Sequence, residues 1–88
     1  MNQQDANANE IVSVLRQAGC AVVFIQGQVV AGVPDILVSR AGRMYLLEIK
    51  AKAGRLSPKQ KVFIATWQAP VFVVRSPDEA LAAVGLLR

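Results

Sequence analysis

The sequence predicts an α/β domain on a mixed four-stranded sheet, with elements in the order αβββαβα. Three observations lead there. One amphipathic run near the N-terminus carries a helical apolar stripe that ends at a glycine. Four short runs are rich in β-branched and aromatic residues. Two serine-proline tetrapeptides each have the form of a helix start.

The first helix is expected to begin near Asn7 or Asn9, either of which can serve as its cap. Ile11, Val14, Leu15 and Ala18 fall on one face, and Gly19 stops the helix. Ala21 to Ile25 reads as a strand, and Gln26 to Gly32, with two glycines, as a loop or a bent strand extension. Asp35 to Ser39 and Met44 to Lys50 read as a hairpin turning at Arg40 to Arg43. Ala51 to Leu56 is a basic loop. In SPKQ, Ser57 is the N-cap, Pro58 takes N1 and Gln60 takes N3, so a helix should run from Pro58 to Trp67. That helix can serve as the crossover joining a parallel strand pair. Val71 to Val74 is the fourth strand, and SPDE at Ser76 to Glu79 opens a last helix ending near Leu87.

Eighty-eight residues, 1–88, suit one domain that buries a modest share of its surface. The hydrophobic fraction of 53% is high for a lone small domain and leaves room for a partner chain. No apolar run approaches the roughly 20 residues that span a bilayer. The polar start MNQQDANANE has neither a basic nor an apolar leader region, so a cytoplasmic location is expected. The single cysteine, Cys20, permits no internal disulfide and no cysteine-cluster zinc site, and reads as a small buried hydrophobe. The absence of histidine excludes Ser-His-Asp triads, Cys-His pairs and histidine-metal sites. Any catalysis must therefore run on carboxylates and lysine, with or without a hard metal ion.

Charge is unevenly spread. Between Ile36 and Pro77 stand eight basic residues against the single acid Glu48, a net +7, while the remainder has two basic against five acidic residues, a net −3. This basic half suits a polyanion partner, or a solvated surface that keeps a small protein soluble.

Strand side chains alternate, so Leu46, Glu48 and Lys50 share one face while Tyr45, Leu47 and Ile49 share the other. With the hairpin turn near Gly42, Asp35 falls opposite the Glu48–Lys50 region. Two adjacent carboxylates repel unless a positive charge lies between them. A divalent ion such as Mg²⁺ or Mn²⁺ suits this oxygen-only donor set. A cross-strand salt bridge to Lys50 satisfies the same spacing.

Pro34-Asp35 followed by Glu48-Ile49-Lys50 is the PD…ExK signature of the PD-(D/E)XK nuclease superfamily. The wider text GVPDILV…YLLEIKAKAGRLSPKQ…F resembles the stand-alone VRR-NUC domain of phage and bacterial proteins, over a span from Glu10 to the last helix. The resemblance implies a restriction-endonuclease-like core. It implies Asp35, Glu48 and the Ile49 backbone carbonyl as metal ligands, with Lys50 assisting the nucleophilic water. Glu10 matches an acidic position that can complete the metal site, or is a helix-start glutamate favoured by the dipole. Gln60 matches a glutamine close to the site, alongside its capping role. In the loop from Ile25 to Val33, Gln26 and Gln28 are the polar groups offered to a substrate, fewer than the resemblance implies.

These implications describe a Mg²⁺- or Mn²⁺-dependent endonuclease cutting DNA phosphodiesters, at four-way Holliday junctions or other branched DNA, in a bacterial or phage-infected cell. Lys52, Arg55, Lys59 and Lys61 follow the ExK strand and can track phosphates, or form a solubilising face. Recognition is expected to rest on DNA shape. Relatives of this minimal type resemble junction resolvases and act as homodimers, which places Trp67, Phe63 or the last helix at a dimer face, although a core place comes first for Phe63. A non-catalytic DNA-binding module using the same basic surface is the rival reading, and an oligomerisation domain with no nucleic acid is a second.

Overall fold

A computed structural model describes residues 3–25 and 30–87 of the chain. The expected order is present: α1 (Gln3–Gln17), β1 (Ala21–Phe24), β2 (Ile36–Arg40), β3 (Arg43–Ile49), α2 (Pro58–Thr66), β4 (Val71–Val74) and α3 (Pro77–Ala83). The sheet order is β1-β2-β3-β4, with the first two pairings antiparallel and β3-β4 parallel, so α2 is the crossover.

Helix α1 begins earlier than expected. Asn7 lies inside the helix, and its amide donates to the carbonyls of Lys50 (2.9 Å) and Arg75 (3.1 Å). It therefore ties α1 to the ends of β3 and β4 instead of capping. Ile11 and Leu15 are fully buried, as the stripe predicts, and Val12 joins them. Ala18 is exposed because the helix has already closed in a Schellman motif, with Cys20 N–H donating to Leu15 O and Gly19 N–H to Arg16 O. Gly19 takes the left-handed conformation there, φ 95°. The last helix stops short of Leu87 for the same reason, with Leu86 N–H bonded to Leu81 O, Gly85 N–H to Ala82 O, and Gly85 at φ 84°.

The β2–β3 hairpin turns in two residues, Ala41 and Gly42, both left-handed at φ 50° and 78°. Such turns match the twist of paired strands and fix the register. Register sets Ile36 beside Leu47, which puts the strand bounds one residue from the expected ones and leaves Asp35 at the end of the ladder. Asp35 is still held on both sides: its N–H donates to Leu47 O and its carbonyl accepts from Ile25 N–H.

Helices α1 and α3 pack together on one face of the sheet. Between them and the strands lies the core: Ile11 and Leu15 from α1, Val22, Ile36, Val38, Leu47, Ile49 and Val74 from the sheet, Ala80 and Val84 from α3 and its end. Tyr45 and Phe72 close this layer edgewise, ring centroids 6.3 Å apart. The opposite face is thinly covered. Helix α2 contributes no buried residue, and Val23 and Met44 are exposed. Phe63 is not in the core; it is half-buried and stacks on Trp67 along the helix, centroids 5.3 Å apart. Among the described residues no helix is long and apolar enough to cross a membrane.

Because alternate β3 residues meet such different surroundings, two truncations on that strand should differ sharply. Leu47→Ala should cost about 2–5 kcal/mol of unfolding free energy, and Met44→Ala about 0.5 kcal/mol or less, as read by urea denaturation.

Candidate active site

The hairpin register brings Asp35 and Glu48 side by side on β2's entry and β3's end, and both are buried, at 6% and 2% exposure. Each is fixed by its own donor. Asp35 Oδ2 accepts the backbone N–H of Ile49 at 2.6 Å, so the residue between Glu48 and Lys50 orients the carboxylate across from them. Glu48 Oε2 accepts from Gln60 Nε2 at 3.1 Å and lies 3.6 Å from Lys50 Nζ. Gln60 in turn belongs to the capping box: its Oε1 accepts from Ser57 N–H (2.8 Å), and its N–H donates to Ser57 Oγ (3.2 Å). Both roles that the sequence allows for Gln60, cap and neighbour of the ExK strand, are thus present at once.

Burial is the main cause that pushes the Glu48 carboxyl from 4.5 up to about 8, followed by the charge of Asp35 and the hydrogen bond between the two acids, with the Lys50 ammonium pulling the other way. The ion pair that the sequence offers as an alternative is therefore real, but one ammonium does not balance two buried carboxylates. When all three groups are ionised, Asp35 and Glu48 against Lys50 leave a net charge of −1. The donors are hard oxygens in a shielded position, and they fit a small divalent cation such as Mg²⁺ or Mn²⁺.

The other expected members sit differently. Glu10 is exposed on α1, and among the described residues no three His, Cys, Asp or Glu side chains come close enough to hold a metal. The structure thus does not gather Glu10 with the Asp35–Glu48 pair. Lys52, Arg55, Lys59 and Lys61 are all exposed, the first two on the loop after β3 and the others on α2. Lys59 and Lys61 are two apart on a helix and so project to different sides. Gln26 and Gln28 lie outside the described residues.

Two residues to which the sequence assigns other roles hold the site's frame. Asn7 clamps the backbone at Lys50, as described above. Arg75, which enters the sequence reading only as positive charge, donates from Nη1 to the carbonyls of Ala51 (2.9 Å) and Gly54 (2.6 Å), fastening the loop that carries Lys52. Nothing in the local sequence marks either role, since the carbonyls these side chains reach lie far along the chain.

A mixed sheet presenting paired carboxylates and a lysine in the PD…ExK arrangement defines the PD-(D/E)XK class of nucleases. Within that class, the family described as "Archaeal holliday junction resolvase (hjc)" matches residues 3–72, and the chain belongs to that Holliday junction resolvase family. A solved structure titled "VRR_NUC domain" shares the fold: TM-score 0.72, 22% identity, 91% of each chain covered. No curated protein matches the chain.

The raised Glu48 carboxyl has a measurable consequence in metal-free protein. The native state holds a proton that the unfolded chain has released, so stability is fully present below about pH 4.5 and is lost as pH rises toward about 8. Urea unfolding with a chelator should show a decline of more than about 1.4 kcal/mol, the worth of one pKa unit, across that window. Glu48→Gln should flatten it.

Proposed function

We propose that this chain is a divalent-metal-dependent endodeoxyribonuclease that selects branched DNA, four-way junctions above all, by shape. The observation that carries the proposal is the buried Asp35–Glu48 pair, held on adjacent strands with Lys50 beside it. Asp35 and Glu48, with the Ile49 backbone carbonyl, would hold Mg²⁺ or Mn²⁺. Glu10, exposed on α1 and apart from this pair, is left out of the proposed set. When bound, such an ion supplies Lewis-acid activation of water and neutralises charge on the scissile phosphate, which removes the need for a histidine base.

The protein's own residues do the remaining work. Lys50 places an ammonium beside Glu48, where it can position the attacking water and stabilise charge developing on the phosphate. The Ile49 N–H keeps the Asp35 carboxylate aimed at its neighbour, and Gln60 holds one oxygen of Glu48. Lys52, Arg55, Lys59 and Lys61, all exposed on the loop and helix that follow the ExK strand, are proposed to follow the phosphate backbone. The family's printed description supports the Holliday junction as substrate.

The span 1–88 is read as one nuclease domain working in the cytoplasm as a homodimer. The lightly covered sheet face and the half-exposed Trp67 support a second copy as partner. A four-way junction calls for two symmetric cuts, which a twofold dimer supplies.

The test is cleavage of labelled four-way junction, flap and linear duplex with Mn²⁺ or with EDTA. Wild type should cut the junction fastest and only with the metal, while Asp35→Ala, Glu48→Ala and Lys50→Ala should each lose about 100-fold or more. Junction binding without any cutting would favour the rival binding-module reading. In binding titrations over a range of salt, replacing any one of Lys52, Arg55, Lys59 or Lys61 by Ala should shallow the log–log salt slope by about one.

A further inference from the structure

Gly32 lies three residues before Asp35 and rests against the first turn of α2. A Cβ at this position would stand 2.6 Å from the Lys59 carbonyl carbon and 3.1 Å from the Gln60 nitrogen, closer still to the Lys59 oxygen. Its φ of 83° is also one that side-chain-bearing residues rarely adopt. Backbone meets backbone here, between the strand entry that carries Asp35 and the helix that carries Gln60.

The next contact in the series is the capping box. Ser57 N–H takes Gln60 Oε1, and an amide has only one oxygen. The Nε2 group is therefore the end left to face Glu48, where it donates to Oε2 at 3.1 Å. Lys50 approaches the same oxygen, so Gln60 and Lys50 together hold Oε2 of Glu48 in place.

We infer that Gly32 and Ser57 are positioning residues for Glu48, acting together through Gln60. Gly32 sets how closely the first turn of α2 approaches the sheet. The Ser57 backbone N–H sets which way the Gln60 amide faces, and the Ser57 hydroxyl holds that N–H over the helix start by accepting the Gln60 backbone N–H. Neither touches substrate, and the inference rests on Glu48 being the active-site acid. A displaced turn or a turned amide would release one oxygen of that acid and misplace it by a fraction of an ångström to an ångström, a scale at which catalysis loses up to about 100-fold.

Two measurements test this separately. In ¹⁵N-labelled, metal-free protein, the Gln60 side-chain amide signals, identified by their loss in Gln60→Glu, should stand apart from those of solvated glutamines. They should move toward solvated positions in Gly32→Ala and Ser57→Ala, and stay in Ser57→Thr, which keeps the hydroxyl. Unmoved amide signals in both alanine variants would overturn the inference. In junction cleavage with Mn²⁺, Gly32→Ala and Ser57→Ala should lower kcat about 10- to 100-fold with KM changed less than threefold. Adding either change to Gln60→Ala should cost nothing further, whereas additive losses would show that they act outside Gln60 and overturn the inference. If Gly32→Ala does not fold, the Ser57 pair carries both arms. If wild type never cuts, the nuclease reading fails, and the amide signals alone decide the positioning claim.

Discussion

Two acids share one buried spot, and the architecture around them makes that tolerable. An unpaired carboxylate taken out of water is costly, and two in contact are costlier still. The chain answers with donors of different kinds. A backbone N–H from β3 serves Asp35, while a side-chain amide from α2 and an ammonium from Lys50 serve Glu48. No buried polar side-chain atom among the described residues is left without a hydrogen-bond partner. The charge itself is only half balanced, and burial first, then the charge of Asp35, hold the Glu48 proton well above the usual carboxylate range.

The asymmetry of the sheet follows from the same site. One face is sealed by α1 and α3 over Ile36, Val38, Leu47 and Ile49. The other carries Glu48 and Lys50, and α2 meets it through Gln60 without burying any of its own residues. A helix that adds little to the core can still be placed accurately, because its first turn is held by the capping box and by the approach of Gly32. The stability of the fold and the aim of the site thus come from different sides of one sheet.

Basic residues divide in a similar way. Arg16, Arg40 and Arg75 donate to carbonyls at Val22, Val84, and Ala51 with Gly54, and so act as clamps. Lys52, Arg55, Lys59 and Lys61 stay in solvent. Counting charge along the chain cannot separate these roles, since a guanidinium that satisfies a loop and one that meets a phosphate contribute equally to the count.

Local rules carried much of the description. The alternation in β3, the glycine that ends α1, the serine-proline start of α2 and the pairing of Asp35 with the Glu48–Lys50 strand depend on neighbours a few residues apart or across one tight turn, and all were legible. What was not legible involves distant partners. Asn7 looks like a cap in sequence and is a clamp in space, because the carbonyls it reaches lie 43 and 68 residues away. Phe63 looks like core and stacks outside it, because α2 has no second layer to bury it. Sequence by itself determined the fold class, the register and the chemical identity of the acids and lysine, since each is set by short-range geometry. Only the tertiary structure decided that Glu10 stands apart from the acids, that one Glu48 oxygen is held by Gln60, and which arginines are committed to carbonyls, since those outcomes depend on how far α1, α2 and the loops sit from the sheet.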